Sequence, residues 1–267
     1  MTIKASGSLG LSADIVTEFT SDTGKNMGSL RGVTWYKDGL LDTGTFSATN
    51  LSFSSFYSKR ATDPAGAGSQ IYNTAGDNTF IVPIYRNNIN FYAWGGGGGC
   101  GGNSGAGGSG GNTTVTLPSA TLTAAGGQGG GGGGRRYVGP AGEGGGQSGG
   151  TIGENGAPGS TAIKGPGGNA GGMSYGGGSG GTNAGGNYTG YPGNAPGGGG
   201  SAWYGLDGSP DPGFSGGGGA GGAGFSGYVY TAGQLAPGTS INIHVGDAGS
   251  SANSGPGGVG EVKITWS

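Results

Sequence analysis

Charge is scarce in this chain. Of its 267 residues, 9 % are Asp, Glu, Lys or Arg, against roughly 25 % in ordinary soluble domains. The 11 Lys+Arg are outnumbered by 13 Asp+Glu, a formal net charge of −2. Nucleic acid is therefore not expected as a partner, because counterion release needs a basic surface. Hydrophobic residues make up 31 %, which argues against an ordinary enzyme core. The longest apolar run, Phe80 to Tyr85, is six residues, far short of the ~20 needed to span a bilayer, so no membrane insertion is expected. The opening Met1-Thr-Ile-Lys-Ala-Ser lacks the apolar stretch of a secretory leader. Cys100 is the only cysteine, so no internal disulfide can compensate for a thin core.

What the chain has instead is glycine: 77 residues. Residues 1–94 hold 10 of them and residues 95–267 the other 67, about 39 % of that segment. Low-complexity disorder is one reading of such a composition. A packed glycine architecture is the other. Each glycine costs roughly 0.5–1 kcal/mol more backbone entropy than alanine on ordering. An ordered segment of this kind is favoured only if its glycines sit where any Cβ would clash. The left-handed polyproline-type helix, with about three residues per turn and no internal hydrogen bonds, meets that condition when several lie side by side and bond to one another. Suitable runs are 95–111, 126–134, 142–150, 165–186, 197–200, 213–227 and 255–260. Collagen is excluded, since its triplet register breaks at Thr114 and the stretch before it has no proline.

The framing of the glycine favours order. Thr79–Tyr85 and Ile89–Trp94 read as two strands around Arg86-Asn87-Asn88. Ile89, Phe91 and Ala93 would share one face. Ser240–Val245 and Glu261–Trp266 alternate cleanly, with apolar faces Ile241, Ile243, Val245 and Val262, Ile264, Trp266. Shorter candidates are 113–117, 120–123 and 227–230. The expected fold is mainly β and irregular: a β frame enclosing a stack of polyglycine type II helices over residues 79–267. Before it, residues 64–78 read as a linker. Residues 1–63 read as a small module with short serine-capped helices at Ser12–Phe19 and Ser52–Arg60. A core of that size is marginal alone and is expected to dock onto a partner.

In a glycine stack, chemistry must sit where glycine is interrupted. The interruptions are Arg135, Arg136 and Tyr137; Met173 and Tyr175; Tyr188 and Tyr191 with neighbouring Asn; Trp203 and Tyr204; and Asp207 to Phe214. Their Tyr, Trp, Asn and Ser content is that of loops binding through broad amphipathic contact at small entropy cost. Each aromatic would equally serve as packing on a flank of the stack. No catalytic residue is expected. The G-x-S-x-G elbow occurs at Gly172–Gly176 and also starting at Gly107, Gly146, Gly177 and Gly213, so in this composition it carries no information. A triad also needs a base, and His244 is the sole histidine. One Cys and one His give no metal-ligand spacing, and no metal or cofactor is expected. Asp207 and Asp211 either hold a cation with loop carbonyls or solvate a Pro-rich turn.

Leu9-x-Leu11-Ser-Ala-Asp-Ile15 and Leu51-Ser-Phe-Ser-Ser-Phe-Tyr57 resemble the small N-terminal module of many tailed-phage tail and fibre proteins. From Phe91-Tyr-Ala-Trp94 and its five glycines onward, the chain resembles glycine-rich phage fibre domains. Leu235–Gly246 and Gly258–Trp266 are similar to the ending of such domains. The organisation also resembles the distal adhesins of T-even-type long tail fibres, in which glycine motifs alternate with receptor-reading loops. The resemblance implies a non-enzymatic adhesin of the virion, assembled in the host cytoplasm. It would join other phage tail or fibre proteins through residues 1–63, with a homotrimer possible. It would read a bacterial surface receptor, polysaccharide or outer-membrane protein, through Arg135, Arg136, Tyr137, Met173, Tyr175, Tyr188, Tyr191, Trp203, Tyr204, Asp207 and Phe214. Other readings of the residues are a structural tail component without receptor contact and an ice-binding or matrix protein.

Overall fold

The computed structural model describes residues 65–102, 105–133, 139–161, 166–182, 190–201, 204–206, 214–216, 220–251 and 255–267, with Phe19, 30–31, 33–37, 43–57 and 59–60 of the N-terminal part. In that part β1 (Thr34–Lys37) pairs antiparallel with both β2 (Thr43–Thr45) and β3 (Lys59–Arg60). A small core gathers Phe19, Leu30, Phe46 and Phe56, with Phe19 and Phe46 edge to face at 5.1 Å. The helix expected over Ser52–Arg60 is a single 3₁₀ turn, Phe53–Phe56, behind Ser52; its tail Lys59–Arg60 is strand instead. Of the stretch Ser12–Phe19, only Phe19 is among the described residues.

The glycine-rich part is built on two antiparallel five-stranded sheets. One holds β4 (Gly68–Tyr72), β6 (Asn88–Trp94), β10 (Ile152–Glu154), β13 (Phe225–Thr231) and β15 (Glu261–Trp266), in the order β10-β13-β6-β15-β4. The other holds β5 (Gly76–Ile81), β7 (Thr113–Thr116), β8 (Thr121–Ala124), β9 (Gln147–Ser148) and β14 (Ser240–Val245), in the order β5-β14-β7-β8-β9. The alternating strands turn their apolar residues inward, as period-2 patterning requires. Ile89, Phe91, Ala93, Val262 and Ile264 of the first sheet meet Phe80, Val115, Leu122, Ile241, Ile243 and Val245 of the second in one core. Trp266 is only half-buried, at its margin.

Two expectations are corrected here. Residues 68–72 and 76–78 are not linker: they belong to the edge strands β4 and β5, which pair with β15 and β14. The Ala-Gly-Ala-Gly composition looked flexible, but at Gly68 it is a close approach. A Cβ there would lie 2.5 Å from the Trp266 indole. Nor do residues 79–85 form a hairpin with 89–94. Strand β5 ends at Ile81 and pairs with β14, and the chain then crosses to the other sheet, where β6 pairs with β13 and β15. Phe80 and Phe91 consequently face each other across the core, edge to face at 6.1 Å. Tyr85 anchors the crossing, its hydroxyl donating to the Thr231 carbonyl and accepting from the Leu235 N–H.

At one end of this sandwich, strands run on into glycine rods. Strand β6 continues as residues 95–102, β8 as 125–133, β10 as 156–160 and β14 as 246–250. Rods 105–111, 139–146, 220–224 and 255–260 return into β7, β9, β13 and β15. The hydrogen bonds repeat every three residues. Gly96, Gly99 and Gly102 donate to the carbonyls of Gly111, Gly108 and Gly105; Gly95 and Gly98 donate to Gly224 and Gly221; Gly97 and Cys100 donate to Gly258 and Gly255. Rod 95–102 thus sends its N–H groups in three directions in turn, a period of three residues. Rod 95–102 is enclosed, because it also accepts from rods 125–133, 197–201 and 246–250. An added Cβ at Gly97, Gly98 or Gly99 would come within about 2 Å of the carbonyl oxygen of Gly198, Gln128 or Ser250. Glycine is required there by close approach of backbone to backbone.

In the outer rods, side chains recur at the exposed positions. In rod 105–111 and just beyond it, Ala106, Ser109 and Asn112 are exposed, three apart, while the glycines between them turn inward. Pro140 and Glu143 repeat the pattern in the next rod but one. Cys100, the single side chain within rod 95–102, is fully buried, with its Sγ 3.6 Å from the Ser251 hydroxyl.

Candidate functional site

Alternation of rods up from and down to the sandwich sorts the chain reversals between two ends. Gly102 and Gly105, Gly133 and Gly139, Ser160 and Pro166, and Ser201 and Ala220 flank reversals at the end remote from the sheets. The reversal at 172–176 is at the sheet end, as is the one between rods 191–194 and 197–201. The opposite pole of the sandwich meets the N-terminal module, where the Arg86 guanidinium lies 5.1 Å from the centre of the Tyr36 ring. Such a contact is a cation–π attraction. Arg86 and Asn87 there donate their N–H groups to the C-terminal Ser267 carbonyl.

The residues singled out from the sequence divide accordingly. Tyr191 belongs to the remote end and is 53 % exposed. Its backbone is locked to Ser201: the Tyr191 N–H donates to the Ser201 hydroxyl at 2.7 Å, and the Ser201 N–H donates to the Tyr191 carbonyl at 3.0 Å. The ring is thus presented on a fixed main chain. Tyr204 and Phe214 sit in a two-stranded ribbon, β11 (Tyr204–Leu206) and β12 (Phe214–Gly216), with Leu206 opposite Phe214. Arg135, Arg136, Tyr137, Tyr188, Trp203, Asp207 and Asp211 lie outside the described residues.

Met173 and Tyr175 belong to the other end. They form a 3₁₀ turn between two glycines with positive φ, Gly172 at 64° and Gly176 at 110°. Tyr175 stacks on Phe225, centroids 5.0 Å apart and planes 17° apart, and lies 5.4 Å from Tyr92. Below them Trp94 is fully buried and donates its Nε1–H to the Gly171 carbonyl at 3.1 Å. The Gly172 N–H donates to the Glu154 carboxylate at 2.7 Å. This turn closes an aromatic cluster at the root of the bundle, so Tyr175 has a packing role. Burial also pushes the Tyr92 hydroxyl above its ordinary value, with Tyr175 adding to the shift. Glu261, where rod 255–260 meets β15, is likewise raised by burial, with Lys263 opposing.

One concavity was not anticipated from the sequence. On the outer face of the second sheet, a cleft of about 570 Å³ is lined by Asp77, Asn78, Thr79, Thr114, Thr116, Asn242, Ile243 and His244. His244 pairs across strands with Asp77, Nδ1 to Oδ1 at 2.7 Å. Alternation had placed His244 either outward or against the frame; it is outward and half exposed. The polar halves of the period-2 patterns were the available signal, but only the pairing of β5, β14 and β7 brings them together. Among the described residues no group of three or more His, Cys, Asp or Glu is assembled, and no helix is long and apolar enough to cross a membrane. The chain matches no family model, no curated protein and no solved structure.

Proposed function

We propose that this protein is a non-enzymatic adhesin of a phage tail fibre or tail tip. On this reading the glycine rods are polyglycine type II helices. Residues 1–63 join it to other tail proteins. The reversals at the remote end of the bundle recognise a receptor on the bacterial surface. The observation that carries the reading is the sorting of chain reversals by the strand-and-rod topology. Reversals whose sequences hold Arg135 to Tyr137 and Trp203 to Phe214 connect rods whose described ends face away from the sandwich. The docked N-terminal module sits at the other pole, against Arg86. A stalk whose walls carry mostly small side chains, with ends rich in aromatic residues and Asn, suits binding through preorganised loops.

The test is host adsorption by virions carrying Trp203→Ala with Tyr191→Ala, against virions carrying Tyr175→Ala at the sheet end. Adsorption is expected to fall at least tenfold for the first pair, about 1.4 kcal/mol of binding. It is expected to be unchanged for Tyr175→Ala. Unchanged adsorption for both, with both proteins incorporated and folded, would favour a structural tail component instead.

A further inference from the structure

We infer that the cleft on the outer face of the second sheet is a binding site for a neutral, polyhydroxylated ligand, a saccharide segment in chemical terms. It is separate from the rod ends, and the inference stands or falls independently of the adhesin reading.

The register builds the site. Thr79, Asn242 and Thr116 stand in one cross-strand row, and Asp77, His244 and Thr114 stand in the next. Neighbouring strands are spaced about 4.8 Å apart, and side chains on one face recur about every 6.8 Å along a strand. The six residues therefore present hydroxyl, carboxamide, imidazole and carboxylate groups on a two-dimensional grid. Thr and Asn each offer a donor and an acceptor, and the carboxylate only accepts. With Nδ1 held by Asp77, the other ring nitrogen of His244, Nε2, is left to a ligand. Ile243 contributes no apolar side chain, being turned into the core at 2 % exposure. The cleft's volume lies within the range of small-ligand sites.

Other ligand classes fit less well. The lining holds no Lys or Arg, and its one carboxylate repels a phosphate. That carboxylate is paired to His244, leaving no second anionic ligand for a divalent cation. A hydrophobic peptide would find no large apolar side chain in the lining, since Ile243 is turned into the core. A ligand bearing many hydroxyls, each able to donate and accept, matches this exposed grid of donors and acceptors.

The experiment is an amide and imidazole NMR titration of the full chain with maltohexaose, mannotriose and cellopentaose, with inorganic phosphate as a comparison arm. At least one saccharide is expected to give saturable shifts at Asp77, Thr79, Thr114, Thr116, Asn242 and His244, with a Kd near ~1 mM. Thr116→Val with Asn242→Ala should weaken binding at least tenfold, and His244→Gln, which keeps an acceptor, should weaken it less. Circular dichroism would confirm that each variant is folded. Saturation by phosphate at these residues would overturn the proposal. So would saccharide shifts confined to the rod ends, or no saturation by any of the three up to ~20 mM.

Discussion

The β sandwich and the rod bundle share the same strands as they pass from one to the other, yet opposite physics holds each together. In the sandwich, side-chain volume is the adhesive. Phe91, Ile241, Ile264 and their neighbours fill the space between two sheets, each buried side chain contributing about 1.5–3 kcal/mol. In the bundle, the absence of side chains is the adhesive, because carbonyl oxygens approach where a Cβ would have been. Around the enclosed rod 95–102, backbone hydrogen bonds then run to neighbours on every side. One region fails when atoms are subtracted and the other when atoms are added.

That asymmetry can be broken deliberately. Phe91→Ala subtracts a fully buried ring and is expected to cost about 3–5 kcal/mol, seen as a lower denaturation midpoint with loss of both regions. Gly99→Ala adds one methyl group 1.9 Å from the Ser250 carbonyl oxygen. It is expected to cost about 2–3 kcal/mol and to speed amide exchange first in the rods that surround 95–102. A sharper version uses Gly146→Ala, where a Cβ meets nothing nearer than the Asn155 side chain at 4.0 Å. The same chemical change there should be neutral or stabilise by up to ~1 kcal/mol. A cost equal to that of Gly99→Ala would show that close approach of an added Cβ is not what makes glycine necessary in the rods.

The smallest effect concerns pH at the junction. Burial raises the Glu261 pKa above its unfolded value, so the charged form is disfavoured in the folded state. The penalty is full above the folded pKa and fades as pH falls through it toward the unfolded value near 4.5. Thermal midpoints of the native chain compared with Glu261→Gln should therefore differ slightly at pH 7 in favour of Gln, and converge below pH ~4.5. Lys263 opposes the shift and keeps the difference small.

The sequence disclosed the sandwich faces because strand periodicity is local. Ile241, Ile243 and Val245 alternate, and they are buried. It did not disclose partners: alternation fixes which side of a strand is apolar, not which strand lies beside it, so the pairing of β5 with β14 rather than with β6 is not legible in it. Residues 68–72 were missed because a glycine beneath an indole is indistinguishable, in one dimension, from a glycine in a linker. The period of the rods was written in Ala106, Ser109 and Asn112, the outward residues, rather than in the glycines, any of which fits several registers. The candidate site was legible as composition only. Whether a turn such as 173–175 falls at the root or at the far end depends on how many rods precede it, a count that no local motif records. The Thr–Asn–His cleft needed three strands from distant parts of the chain.

Rods 125–133 and 139–146 are fastened to each other at Gly131–Pro140, Gln128–Glu143 and Ala125–Gly146, so the two points where a connecting segment departs and rejoins are fixed by main chain alone. A replacement segment of other length or composition would inherit the same pair of anchorage points without disturbing a buried side chain. Exchange of that segment would leave these three hydrogen bonds in place. Diversification at the far end of the bundle would be uncoupled from the integrity of the scaffold that carries it.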